Sequence, residues 1–282
     1  MMPGRDQQGA TCLVCGSPVS FFFSKRFQLR GLDNAEYWRC ANCGFVASRT
    51  HLEMAPADWD ALNREWHEAY QGTGSDPNDP QWRARLESQA RAIDDLERIG
   101  LLDGNGRWLD YGCGDGKLSN LLETRHGLSL ACHERYTRTR EGYLEESELV
   151  AGGFEFVVTT SVFEHLARRE QFDFVESLVA KDGVLGIHTL VCEDVPCDPS
   201  WFYLLPVHCT FHTNRSMDAL FRQWGYRCSV YNVDAKLWLW FKSRPQEVEA
   251  AIRRANRRVR APSYVFKRGF VDYWKCPPYK AA

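Results

Sequence analysis

Asp110-Tyr111-Gly112-Cys113-Gly114-Asp115-Gly116 is the stretch that decides the fold of this 282-residue chain. It lies between a short apolar strand, 107–111, and a helix over 117–125 that closes near Gly127. Glycines at such a junction let the backbone approach a ligand. The free N–H groups at a helix start favour a carboxylate or phosphate. The spacing is not the dinucleotide fingerprint G-x-G-x-x-G, because the third glycine comes one position early and Lys117 stands in its place. Nor is it a Walker loop, since no G-K-[S/T] follows a four-residue spacer. Asp110, at the strand's end, repels a phosphate and welcomes an ammonium group. Glu134, 24 residues on and just past a second strand, can accept hydrogen bonds from ribose hydroxyls.

Outward from this turn, 128–133, 154–160 and 184–191 read as strands. An amphipathic helix carrying Phe172, Val175, Leu178 and Val179 falls between the last two. Alternating strand and helix predicts a parallel sheet with helices on both faces. Met217, Leu220, Phe221 and Trp224 make one face of a later helix, stopped at Gly225. The strand-like segments 226–232 and 237–242 follow, joined by a turn too short for a crossover, so they predict an antiparallel hairpin. Upstream, Trp59, Leu62, Trp66 and Tyr70 fall at near-helical spacing, with Tyr70 weighed as part of a lid or as packing. After a Gly/Pro/Asp break over 72–80, Leu86, Ile93, Leu96 and Ile99 stripe a second helix that Gly100 caps. No internal repeat is present.

The ordered set resembles the class I S-adenosylmethionine-dependent methyltransferases. Its pieces are D-x-G-x-G-x-G at 110–116, the acid Glu134, Thr160-Ser-Val-Phe-Glu-His-Leu166 after a strand, Lys181-Asp-Gly-Val-Leu-Gly186, and the terminal hairpin; together they span roughly 85–242. The resemblance implies an α/β, Rossmann-like sheet of seven strands with the last antiparallel. It also implies S-adenosyl-L-methionine as cofactor. Gly112, Gly114 and Gly116 would approach its methionine part, Asp110 would orient the loop or the ammonium group, and Glu134 would take the ribose. Ser161 and Val162 would line the pocket. Glu145, Glu146 and Glu148 compete for the adenine, and none is assigned.

Methyl transfer from a sulfonium is an in-line displacement. The protein aligns the acceptor, excludes water and, for a hydroxyl or amine, removes a proton. Four histidines fall at the strand edge where acceptors bind: His165, His188, His208 and His212. Each is a candidate base, weighed against a hydrogen-bonded packing role; alternation along the strand can bury His188. The insert 194–206, with Trp201, Phe202 and Tyr203, offers aromatic surface to an acceptor, or packs.

Cys12-Leu-Val-Cys15-Gly and Cys40-Ala-Asn-Cys43-Gly are two CxxCG knuckles 24 residues apart. Gly permits the tight turn that aims both sulfurs at one point. Four thiolates predict a closed tetrahedral Zn2+ site, hence a structural one, in a small ribbon that could barely fold without it. An iron site or two disulfides are the alternatives. Methyltransferase groups that combine these parts include certain deoxysugar C-methyltransferases and certain ribosomal-RNA guanine methyltransferases, and the chain matches neither closely.

Composition bounds the rest. The chain is 44% hydrophobic and 26% charged with net charge −2, which excludes a disordered chain or a coiled coil. Eleven cysteines, an odd number, cannot all be disulfide-bonded. Cys113, Cys132, Cys192, Cys197, Cys209, Cys228 and Cys276 remain beside the knuckles and read as reduced and structural. No apolar leader and no membrane-length run are present, so a cytoplasmic location without membrane contact is expected. Residues 243–282 carry ten basic against three acidic residues, a +7 tail beside a −9 body. Arg244, Arg253, Arg254, Arg257, Arg258, Arg260, Lys267, Arg268, Lys275 and Lys280 supply that charge, with Tyr264, Phe266, Phe270, Tyr273 and Trp274 among them. Such a tail can grip RNA; an amphipathic helix followed by a strand packed on the core is the favoured alternative. The expected segments are a zinc ribbon over 1–52, a helical cap over 53–100, the methyltransferase domain over 101–242 and the basic aromatic extension over 243–282. The expected activity is methyl transfer to a small-molecule acceptor, a saccharide or metabolite intermediate. The alternatives are an RNA methyltransferase and a non-catalytic module retaining the cofactor fold. Oligomeric state is not readable.

Overall fold

The computed structural model describes residues 10–29, 31–69, 80–138, 141–257 and 263–273. Tyr70, the break over 72–79, Arg258, Arg260, Trp274, Lys275, Cys276 and Lys280 lie outside the described residues. In chain order the elements are β1 (Val19–Leu29), β2 (Leu32–Cys40), β3 (Val46–Ser48), α1 (Arg49–Glu53), α2 (Pro56–Ala69) and α3 (Pro80–Arg98). Then come β4 (Trp108–Tyr111), α4 (Lys117–His126), β5 (Ala131–His133), β6 (Phe154–Thr160), α5 (Arg169–Ser177), β7 (Val179–His188), β8 (Val191–Cys192) and β9 (Thr210–Thr213). The chain ends with α6 (Asn214–Gln223), β10 (Cys228–Asn232), β11 (Leu237–Phe241), α7 (Pro245–Asn256) and β12 (Tyr264–Lys267). No described helix is long and apolar enough to cross a membrane.

Contacts divide the chain into two units. One comprises Met1–Trp66, Phe163–Phe172 and Leu190–Leu220; the other comprises His67–Val162, Asp173–Thr189 and Phe221–Ala282. The division interleaves, whereas the four segments read from the sequence run consecutively.

The larger unit holds a seven-stranded sheet in the order β12-β10-β11-β7-β6-β4-β5. β5, β4, β6 and β7 are parallel, and β11 runs antiparallel to β7. β6 sits centrally, and Phe154, Phe156, Val157 and Val158 are fully buried, as a strand covered on both faces requires. The predicted hairpin is β10–β11, antiparallel throughout. Six strands were expected from pattern; the seventh comes from the tail, where β12 pairs antiparallel with β10. At the opposite edge, beyond β5, a single parallel bridge joins Cys132 to Tyr143. The tail therefore adopts the helix-then-strand form. α7 buries Val248, Ala251 and Ile252, of which the Val and Ile side chains are each worth about 1.5–3 kcal/mol when fully buried. Arg253 and Arg268 both reach Glu249, at 2.6 and 3.1 Å.

The smaller unit carries a five-stranded sheet, β1-β2-β3-β9-β8. The 24 residues between the knuckles are the β1–β2 hairpin, paired from Val19↔Cys40 to Leu29↔Leu32. β3 is antiparallel to both β2 and β9, and β8 is parallel to β9. Expected strand 184–191 is thus divided: β7 ends at His188, and Val191 begins a strand of the other sheet. Phe23, Tyr37, Val46, Trp59, Leu62, Leu204 and Phe211 form this unit's own core.

Candidate functional site

In the larger unit β4 delivers Asp110, 1% exposed, and the chain then turns through Gly112, Gly114 and Gly116 at φ +72°, +56° and +71°. These left-handed angles are where glycine costs least. Gly112 has a second reason: a Cβ there would stand 2.6 Å from Val162 Cγ2. The N–H groups of Gly112 and Cys113 donate to the His133 carbonyl at 2.9 and 3.1 Å. Gly114 N–H donates to Glu134 Oε2 at 2.8 Å, and the Tyr143 hydroxyl donates to the Gly114 carbonyl at 2.9 Å. Glu134 Oε1 accepts from Tyr136 N–H at 2.8 Å. An ionised carboxylate offers about four lone-pair sites, so these two bonds leave acceptor capacity to spare. Glu134 therefore clamps the loop. Glu145, one of the three acids left open for adenine, is tied to Arg138 and joins Glu148 in a capping box.

Ser161 and Val162 follow β6 in the same unit. Ser161 is left-handed at φ +58°, uncommon for a residue with a side chain. Its N–H donates to the His188 carbonyl at 2.8 Å. His188 ends β7, 8% exposed, and burial with Arg85 and Lys236 near it lowers its pKa to about 3. Asp110, the three glycines, Glu134, Ser161, Val162 and His188 are thus all in one unit. The buried acid, the open glycine turn and the spare acceptor capacity of Glu134 fit an amino-acid-bearing nucleoside ligand.

His165, His208 and His212 are in the smaller unit. His212 is fully buried among Phe45, Phe163 and Phe172, with ring centroids 5.0, 5.8 and 5.6 Å away. Burial lowers its pKa to about 3, and this placement is that of a packing histidine. His165 and His208 meet edge to face at 4.9 Å. Glu164 is 1% exposed and accepts the Tyr203 hydroxyl at 2.5 Å. The Tyr203 carbonyl accepts from His208 Nδ1 at 2.8 Å. Sequence reasoning had Tyr203 only as aromatic surface and did not find Tyr143. Neither sits in a motif; both act through chain separations of 29 to 39 residues.

The knuckles repeat one geometry. Gly16 and Gly44 are left-handed at φ +71° and +73°, and their N–H groups close on the Cys12 and Cys40 carbonyls at 2.9 and 3.0 Å. Cys12 and Cys43 Sγ lie 3.6 Å apart, Cys15 and Cys40 Sγ 3.4 Å apart. A tetrahedron with bonds of about 2.3 Å has edges of about 3.8 Å; these two spacings, and four sulfurs all within 4.8 Å of one another, fit such a set. The Cys43 thiol's hydrogen bond draws Cys12 down to about 5. Cys12, Cys15 and Cys43 thus form one cluster with Cys40, the last residue of β2.

Comparison with known proteins agrees with this architecture. A family profile described as a methyltransferase domain matches residues 82–229. No curated protein matches the chain. Solved structures similar to it include a magnesium protoporphyrin IX methyltransferase from Synechocystis PCC 6803 with bound S-adenosylmethionine, at 13% identity, 67% of this chain, 100% of that chain and TM-score 0.42. A geranyl diphosphate C-methyltransferase from Streptomyces coelicolor A3(2) matches at 10% identity, 67% and 100% coverage and TM-score 0.41. A Thermotoga maritima S-adenosylmethionine-dependent methyltransferase, described as a possible histamine N-methyltransferase, matches at 12% identity, 66% and 100% coverage and TM-score 0.36.

Proposed function

The chain belongs to the methyltransferase-domain family, and from that premise we propose that it transfers a methyl group from S-adenosyl-L-methionine to a small-molecule acceptor, a saccharide or metabolite intermediate. The observation that carries the reading is the glycine turn closed by Glu134: Gly114 N–H on Glu134 Oε2 at 2.8 Å sets loop and ribose acceptor in one piece. When bound, the cofactor supplies a sulfonium-activated methyl group. The chain's residues do the rest. Gly112 and Gly114 admit the methionine part, Asp110 meets its ammonium charge, and Glu134 takes the ribose. Ser161 and Val162 line the pocket. His188, held neutral by burial, positions rather than stores a proton. Of the other candidate bases, His165 and His208 face each other within the smaller unit.

The four cysteines are proposed to hold a structural Zn2+, with Cys12, Cys15, Cys40 and Cys43 as its whole ligand set. A closed set leaves no position for chemistry.

Calorimetry with S-adenosylmethionine tests the central claim. The wild-type protein is expected to bind one equivalent per chain. Gly112→Val, which forces a Cβ to 2.6 Å from Val162 in a left-handed residue, is expected to weaken binding by roughly 100-fold or more. A wild-type protein that binds no cofactor would overturn the reading.

A further inference from the structure

We propose that Glu164, His165 and His208 form a second metal site, taking a divalent transition ion through one carboxylate and two imidazoles and leaving positions open for an oxygen ligand. One donor atom from each of the three lies within 4.8 Å of the others. Three tetrahedral ligands about 2.1 Å from one ion stand about 3.4 Å apart, so closure asks for at most about 1.4 Å of change in any donor–donor distance. Two imidazoles and a carboxylate are the donor set that suits zinc, cobalt or iron with vacant positions, unlike the closed thiolate set at the knuckles.

The surroundings of the trio carry the argument further than its spacing. A carbonyl can only accept, so the 2.8 Å bond between His208 Nδ1 and the Tyr203 carbonyl puts the ring proton on Nδ1 and leaves the Nε2 lone pair for a ligand role. That is the tautomer a metal-bound histidine needs, fixed as such histidines usually are by a backbone carbonyl. The same residue's hydroxyl donates to Glu164 Oε1 at 2.5 Å, which orients the carboxylate. Tyr203 thus sets both a carboxylate and an imidazole.

The backbone is fixed as well. Cys209 N–H donates to the Glu164 carbonyl at 2.8 Å, and the Thr210 hydroxyl donates to the Phe163 carbonyl at 2.8 Å. These bonds dock the turn Phe163–His165 beside β9 and bring residues 164–165 and 208 together. Glu164 and His208 are buried, while His165 is half-buried and leaves the trio a side open to a ligand. Occupied, the trio no longer offers a free imidazole; the ion instead lowers the pKa of an oxygen it coordinates. The site is proposed for metal binding itself and does not depend on methyl transfer.

Co2+ added to the full-length, chelator-treated protein tests it, because thiolate-bound Co2+ has a sulfur charge-transfer absorption that nitrogen- and oxygen-bound Co2+ lacks. The expected result is one thiolate-free Co2+ per chain beside the thiolate-bound one. His165→Ala and, as a variant that keeps the carboxyl shape, Glu164→Gln are expected to weaken the thiolate-free ion by tenfold or more while the charge-transfer band persists. That band reports that the unit is still folded, and a missing band in wild type is a failure of the ribbon alone. A wild-type protein that takes up no thiolate-free Co2+, or a thiolate-free ion equally tight in both variants, overturns the proposal.

Discussion

The two units solve the same problem, bringing polar groups to one point, by opposite means. In the larger unit the groups arrive by short steps along an alternating strand–helix path. Asp110 and Gly116 are within one turn, and Glu134 directly follows the strand that pairs with β4. In the smaller unit they arrive across the chain. Cys12 meets Cys43 over 31 residues, and His51 bonds the Pro206 carbonyl over 155. The first unit rests on a sheet core that needs no ligand. The second gathers three separate segments around four sulfurs, and its fold should depend on what those sulfurs hold.

The largest effect expected separates the units outright. Binding at a structural Zn2+ is folding free energy on the order of 10 kcal/mol. Chelation, or Cys40→Ser, is expected to remove hydrogen-exchange protection over 19–48 and 210–213. Protection over 154–160 and 184–188, in the ligand-free sheet core, should persist. Equal loss in both would show that the units are not independently stable.

The complementary perturbation strikes the sheet. Trp238 is 1% exposed, packs on Tyr231 at 4.5 Å and donates Nε1–H to the Val271 carbonyl at 2.9 Å, tying the tail to β11. Trp238→Ala is expected to cost about 3–5 kcal/mol in denaturant unfolding. It should leave the thiolate charge-transfer band of a Co2+-loaded protein unchanged.

This contrast also governs how much could be read from the sequence. The α4 start at Lys117, β6 over 154–160 and the β10–β11 hairpin follow from local pattern and were legible. The knuckles were legible because CxxCG carries its own geometry. β12 was not read as the seventh strand, because its pairing with β10 is decided by a distant partner and not by its own four residues. The split between β7 and β8 was missed because no Pro, Gly-rich or charged break interrupts 187–191; only tertiary pairing shows that the segment serves two sheets. At the site, Asp110, Glu134 and the glycines were legible by spacing. The double use of Glu134, and the supports Tyr143 and Tyr203, were not, because a hydroxyl that holds a distant backbone carbonyl or carboxylate leaves no motif.

A third difference lies in acid sensitivity. His51, His208 and His212 are buried in the smaller unit with lowered pKa values, against His188 in the larger. His51 falls to about 4, because burial penalises its charged form by more than the bond to the Pro206 carbonyl at 2.9 Å favours it. The unfolded chain takes up these protons first, near pH 6.5, so the stability they contribute is full above 6.5 and falls as pH drops towards 4. His51, falling from about 6.5 to about 4, is expected to cost about 2 kcal/mol by pH 5. The smaller unit, with more of them, should lose protection first. His51→Gln should flatten the slope of melting temperature against pH between 6.5 and 4; an unchanged slope would remove His51 from the account.

The smallest effect probes how finely the glycine turn is set. The ribbon's four sulfurs share one ion, so losing one ligand is expected to be close to all-or-none. The turn is held by several hydrogen bonds, from Glu134, the His133 carbonyl and Tyr143, so losing one should be graded. Tyr143→Phe removes only the hydroxyl that donates to the Gly114 carbonyl at 2.9 Å and keeps the ring. A single intramolecular hydrogen bond is worth about 1 kcal/mol net. Cofactor affinity should therefore fall by about fivefold, with unfolding nearly unchanged. Glu134→Gln should cost more, since it replaces a charge-assisted acceptor of Gly114 N–H and weakens the ribose contact at the same atom. If Tyr143→Phe instead matched Gly112→Val in calorimetry, the turn would be as cooperative as the metal cluster, and the contrast between the two regions would fail at its finest point.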